Sequence, residues 1–85
     1  AEGYLIRIEK PLGSPVRRGD IVAVIENREP GFTFAPVGLR SPADGVISQF
    51  HVPLMARLDR GAKVFSVMDP KSIKVTAEVP AAAMD

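Results

Sequence analysis

Two stretches of the 85-residue chain decide its fold: Gly3–Asn27, reading GYLIRIEKPLGSPVRRGDIVAVIEN, and Gly45–Asp69, reading GVISQFHVPLMARLDRGAKVFSVMD. Laid over one another at a shift of 42 residues, they align across 25 positions without a gap. Six pairs are identical: Gly3/Gly45, Pro11/Pro53, Leu12/Leu54, Arg18/Arg60, Gly19/Gly61 and Val22/Val64. Apolar character is kept at Tyr4/Val46, Leu5/Ile47, Ile8/Phe50, Val16/Leu58, Ala23/Phe65 and Ile25/Val67. A register that holds through turns and apolar positions alike marks an internal duplication.

Each copy leaves a glycine as a strand, reaches a proline-containing bend, passes one apolar residue (Val16 or Leu58), turns at Arg-Gly and enters a second strand. One copy cannot bury its own apolar face. Two copies related by an approximate two-fold are expected to face each other and close a flattened barrel, which leaves few open strand edges. Gly19 and Gly61 are expected to take a positive φ in the turn before the second strand, a conformation open to a residue without a Cβ.

The rest of the chain agrees with an all-β class. Eight prolines and seven glycines leave only short segments between them, too short for a long helix and suited to strands. Tyr4, Ile6 and Ile8 alternate with Leu5, Arg7 and Glu9, and Ile73, Val75, Ala77 and Val79 alternate with Lys74, Thr76 and Glu78. That is the two-residue period of a half-buried strand. The runs Ile21–Ile25 and Val64–Met68 do not alternate and read as strands covered on both faces, as in the core of a sandwich.

Size and charge narrow the function. A chain this short makes one domain that buries about 60–65% of its unfolded surface. Charged residues are 25% of the chain, hydrophobic ones 46%, and the net charge is +1. Eleven basic residues interleaved with ten acidic ones give neither nucleic acid nor an anionic membrane surface a basic face to bind. The lack of cysteine excludes disulfides, thiolate metal sites and cysteine nucleophiles together. No apolar run approaches the roughly 20 residues of a membrane-spanning helix, and the first residues do not read as a signal peptide. The start at Ala1-Glu2-Gly3, without methionine, is what a fragment or a processed form would show.

Four segments in this order and spacing carry a family resemblance: Gly3–Ile8; Val16-Arg17-Arg18-Gly19-Asp20 with Ile21–Ile25; Ser41-Pro42-Ala43-Asp44-Gly45-Val46-Ile47; and Leu58-Asp59-Arg60-Gly61 with Val64–Met68. Together they resemble the biotinyl/lipoyl-like superfamily and, more specifically, the lipoyl domain of haemolysin D-type membrane fusion proteins, the periplasmic adaptors of bacterial efflux and secretion systems. The resemblance implies a barrel-sandwich hybrid, with residues 1–70 as the lipoyl-like domain, half-motifs 3–27 and 45–69, and a connector 28–44. Residues 71–85 look like an exit strand toward a following β-barrel domain. It also implies a non-catalytic role in transporter assembly, in the periplasm or cell envelope, with the full-length protein anchored in the membrane. Its implied partners are an inner-membrane transporter, an outer-membrane channel, and further copies stacked in a ring. The isolated 85-residue piece is expected to be a monomer.

The segment between the half-motifs departs from that family. Many adaptors carry a long helical hairpin there, but Asn27–Leu39 is thirteen residues, too few for two helical arms of several turns each. A biotin or lipoyl carrier would need a lysine at this tip, and the segment has none. Arg28 does not substitute, because a guanidinium stays protonated and is not acylated. Lys10, Lys63, Lys71 and Lys74 lie elsewhere in the repeat register. The alternative function is a degenerate carrier-like recognition module inside a multidomain enzyme.

Other chemistry finds little to work with. LytM-type zinc peptidases share a similar glycine-punctuated core but need several His and Asp ligands, and a phosphohistidine carrier needs a supported, accessible histidine. His51 is the single histidine, and its alignment with Glu9 places it toward solvent. Ser14, Ser41, Ser48, Ser66 and Ser72 have no second histidine to complete a triad. Asp20, Glu26, Glu29 and Asp44 read as solvated turn carboxylates, without the spacing of a cation loop. No catalytic, cofactor or metal site is expected. The connector does hold Phe32 and Phe34 on either side of Thr33. At strand spacing both rings project to one side, either covering an open end of the sandwich or meeting a partner.

Overall fold

The computed structural model describes residues 3–27 and 36–79, which form eight strands and no helix. The strands are β1 (Gly3–Ile8), β2 (Pro15–Val16), β3 (Ile21–Asn27), β4 (Val37–Arg40), β5 (Gly45–Phe50), β6 (Arg57–Leu58), β7 (Lys63–Met68) and β8 (Lys74–Glu78). They assemble into two four-stranded antiparallel sheets, ordered β4-β3-β1-β6 and β2-β5-β7-β8. The class is all-β, as the proline and glycine spacing requires. The barrel expected from the duplication is not closed, since the described strands fall into two separate sheets, each with its own edges.

The duplication reappears as pairing. β1 on β3 and β5 on β7 use equivalent partners, for example Leu5↔Ile25 and Ile47↔Val67, or Ile8↔Ala23 and Phe50↔Phe65. The units then exchange their short strands. β2 of the first unit pairs with β5 of the second (Val16↔Gly45), while β6 of the second pairs with β1 of the first (Leu58↔Gly3). Neither unit completes a sheet alone, so the exchange is what joins them. Gly45, the partner of Val16 in this exchange, also lies close against β7 of its own unit, where a Cβ would stand 2.2 Å from the Met68 carbonyl oxygen.

Equivalence also runs past the aligned residues. β4 pairs with β3 as Ala23↔Leu39 and Val24↔Gly38, and β8 pairs with β7 as Phe65↔Ala77 and Ser66↔Thr76. Each unit therefore has a fourth strand, now at a shift of 38, because the second unit's turn is shorter. The Arg-Gly turns also match: Gly19 and Gly61 have φ of +92° and +82°. Gly19 N–H donates to Ser41 O and Gly61 N–H to Val79 O, at 2.9 and 3.1 Å.

The core lies between the sheets. Leu5, Val22, Ala23, Ile25, Ile47, Val64, Phe65 and Val67 are buried, joined by Val16 and Leu58 from the exchanged strands and by Leu39, Ala77 and Val79. A fully buried Leu or Phe contributes about 1.5–3 kcal/mol relative to exposure. The plain two-residue alternation expected for β1 is corrected: Leu5 is fully buried, while Tyr4 and Ile6 on either side of it are both half-buried and Ile8, three residues on, packs against the core. The cause is a β-bulge, since the β1–β3 register slips between Leu5 and Arg7. One extra residue reverses which side chains face inward. The same slip recurs between Ile47 and Gln49, and a second pair falls between Ile21 and Ala23 and between Lys63 and Phe65. These bulges let Val22 and Ala23, and likewise Val64 and Phe65, enter the core side by side, which explains the unalternating runs.

Candidate functional site

The two sheets differ most at one set of equivalent outer-face positions. In the first unit, Arg7, Glu9, Lys10, Ile21, Val24, Pro36 and Gly38 line a surface cavity of about 420 Å³. Val24 forms a closed apolar wall, whereas Ile21 keeps 39% of its surface exposed. The Arg7 guanidinium pairs with Glu9 at the rim. Gly38 leaves the space that Ile21 leans into: a Cβ there would stand 3.1 Å from Ile21 Cδ1.

The counterparts in the second unit are Gln49, His51, Val52, Lys63, Ser66, Lys74 and Thr76, and here the space is bridged by hydrogen bonds. Ser66, fully buried, has its Oγ 2.7 Å from His51 Nε2 and 3.1 Å from Thr76 Oγ1. Ser48 Oγ donates to Ser66 O at 3.2 Å, and Lys74 Nζ donates to Gln49 Oε1 at 3.3 Å. A buried hydroxyl needs such partners, because leaving it unpaired costs about 1–3 kcal/mol. His51, expected to face solvent, is thus half-buried as the partner of Ser66. The signal for this contact was the serine itself, a polar residue inside the otherwise apolar run Val64–Met68. With Ser66 closed to solvent, its oxygen has no access to a substrate carbonyl, and the His–Ser pair acts as packing.

The acidic turn residues are occupied by the backbone. Asp20 Oδ2 accepts the Arg17 N–H at 2.9 Å and Asp44 Oδ1 accepts the Arg18 N–H at 2.7 Å. Among the described residues, no group of three or more His, Asp or Glu side chains could hold a metal ion. Phe32, Phe34 and Glu29 lie outside the described residues.

One lysine is placed differently from its reading in the aligned segments. Since β8 answers β4, the β7–β8 turn is the second unit's counterpart of the connector, and Lys71 stands exposed in it. The turn is tied by Asp69, whose Oδ1 accepts the N–H groups of Lys71 and Ile73 at 2.9 and 2.7 Å, and whose carbonyl accepts Ser72 N–H at 2.9 Å. The alignment ended at Asp69, and the four-residue difference in turn length hid the equivalence.

A further space opens between the edge strands β4 and β8. It has a volume of about 390 Å³ and is lined by Leu39, Arg40, Pro42, Thr76, Ala77 and Glu78, with Gly38. Exposed apolar side chains also stand in both β1–β2 and β5–β6 turns, where Leu12 and Leu54 are 65% and 52% exposed. Compared with known proteins, the chain matches no family model, no curated protein and no solved structure.

Proposed function

We propose that this chain is a non-catalytic adaptor domain of a bacterial efflux or secretion system, a barrel-sandwich hybrid of the lipoyl-like kind found in haemolysin D-type membrane fusion proteins. The observation that supports it most is the pair of equivalent units that exchange β2 and β6. Among the described residues, what such a scaffold offers to other molecules is its outer faces and edges. Fold by itself does not assign function, so the reading rests on this architecture together with the resemblance of the four quoted segments. In this role the domain works by packing and positioning: copies stand side by side around a transport path in the periplasm, and the membrane-anchored full-length protein couples an inner-membrane transporter to the components through which its substrate leaves.

The test is to express the tagged full-length protein from its own reading frame, fractionate the cells and identify what co-purifies. An inner-membrane transporter recovered from the membrane fraction is the expected result. Recovery from the cytosol with a carboxylase or acyltransferase would overturn it.

Lys71 gives the carrier-like alternative a specific residue. An exposed lysine on a tight hairpin turn is what a swinging arm requires, so intact mass after cellular expression is the second measurement. The adaptor reading expects the unmodified mass. A biotinyl or lipoyl adduct that disappears in Lys71→Arg would replace it with the carrier reading.

A further inference from the structure

The two sheets end on equivalent strands that differ in what they show a neighbour. In β8, Val79 N–H donates to Ala62 O at 2.9 Å, Val79 O accepts Gly61 N–H at 3.1 Å, and Ile73 O accepts Asp69 N–H at 3.0 Å. Residues 73 and 79 therefore turn their backbone polar groups inward. Because those groups alternate along a strand, Lys74, Thr76 and Glu78 direct theirs away from β7, to an edge that no other described strand pairs with. In β4, Ser41 is the inward residue, donating to Asp20 O at 2.7 Å and accepting from Gly19 at 2.9 Å. Its outward residues are Arg40, Gly38 and, one step before the strand, Pro36. Proline has no N–H to give, a common way of blunting an edge. The counterpart of Pro36 on the second sheet is Lys74, which keeps its donor.

We infer that β8 is a self-pairing edge, on which a second copy of this chain adds its own β8 in antiparallel register about Thr76. Strand Lys74-Val75-Thr76-Ala77-Glu78 is complementary to itself in charge. Centred on Thr76, it sets Lys74 of each copy opposite Glu78 of the other, and Thr76 opposite Thr76. That register brings together the outward residues, so each facing pair exchanges both backbone hydrogen bonds. The shift by one residue to either side would leave outward groups facing inward ones. Opposite charges placed across strands favour that register, and like charges oppose it. Lys74 and Glu78 are exposed. The contact is isologous and involves one short strand from each copy, well below the roughly 1,600 Å² of a standard interface. The chain is accordingly monomeric at micromolar concentration and pairs toward millimolar. This inference does not depend on the adaptor role.

Sedimentation velocity and amide hydrogen exchange of the 85-residue chain, from about 10 μM to 1 mM, test it. Expected is a concentration-dependent dimer with slowed exchange at Thr76 and Glu78, but not at Gly38 and Arg40. Lys74→Glu alone and Glu78→Lys alone place like charges opposite one another and weaken the dimer about tenfold. The double swap Lys74→Glu/Glu78→Lys restores it. A monomer at every concentration, protection on β4 in place of β8, or a double swap no better than the singles would overturn the inference. The exchange pattern of the unsubstituted chain decides the matter even where a variant fails to fold.

Discussion

The first and second units run through the same strands, bulges and turns, yet they fill them differently, and the contrast separates what the fold requires from what each half has added. The strand-to-strand register is common to both, as are the Arg-Gly turns and the exchanged short strands. The fillings differ inside and out. At the core position where the first unit has Ala23, the second has Phe65, and both are fully buried. Phe65 meets Phe50 at a ring separation of 6.2 Å, a tilted aromatic contact, whereas the first unit has Ala23 beside Ile8. Both residues belong to one buried cluster, which predicts that the two sheets share a core volume and that bulk missing from one position is supplied by the other.

The strongest way to break that sharing is Phe65→Ala. Removing a buried phenylalanine costs about 3–5 kcal/mol, in a domain whose total stability at this length is about 4–13 kcal/mol. Urea unfolding should show most of the stability gone. Ala23→Phe alone overpacks by about 1–3 kcal/mol. If the two positions draw on one volume, the exchange Ala23→Phe/Phe65→Ala is more stable than Phe65→Ala. A double variant as unstable as the sum of the two losses would show that the core is divided between the sheets.

The outer faces give a smaller effect. Ser66→Val makes the second unit resemble the first and strands both His51 Nε2 and Thr76 Oγ1, for a loss of about 1–2 kcal/mol. The converse, Val24→Ser, strands no partner and loses about 1.5 kcal/mol of apolar burial. A Ser66→Val variant as stable as the unsubstituted chain in denaturant melts would mean that the His51–Ser66–Thr76 bonds contribute nothing beyond shape.

How much of this was legible varies with the kind of feature. The all-β class, the two copies and the positive φ at Gly19 and Gly61 follow from residues whose chemistry permits few alternatives. The inward face of β1 did not, because Tyr4, Leu5, Ile6 and Ile8 are all apolar and a two-residue period fits either phase. The second unit held the answer. There Ile47 and Phe50 are apolar while Ser48 and Gln49 are not, a spacing of three that only a bulge can turn to one face. Strand exchange was also out of reach, since one unit carries the same local pattern whichever sheet receives its short strand. On the candidate site, His51 was readable only through Ser66, and the surface cavity only through the small size of Gly38 beside Ile21. Lys71 was hidden by a change of turn length, which an ungapped comparison cannot cross.

The smallest expected effect concerns one turn. Gly13 and Met55 are counterparts, with φ of +87° and +70°. Their N–H groups make equivalent bonds, Gly13 to Ile47 O at 2.8 Å and Met55 to Leu5 O at 2.6 Å. The bend is needed in both units, because it carries the short strand across to the other sheet. Only in the second is it made by a residue with a Cβ, at a cost of order 1–3 kcal/mol for a left-handed conformation. The Met55 side chain is 50% exposed, so it recovers only part of that through burial. Met55→Gly removes the strain but frees the unfolded chain, which offsets roughly 0.5–1 kcal/mol. The expected net is a gain of about 0.5 kcal/mol, a rise of roughly 2–4 °C in Tm for a domain of this size. Gly13→Ala imposes the strain on the first unit and should lower Tm by more than that. If both substitutions move Tm the same way, the two turns are not doing equivalent work, and the exchange of short strands is held by different means in each half.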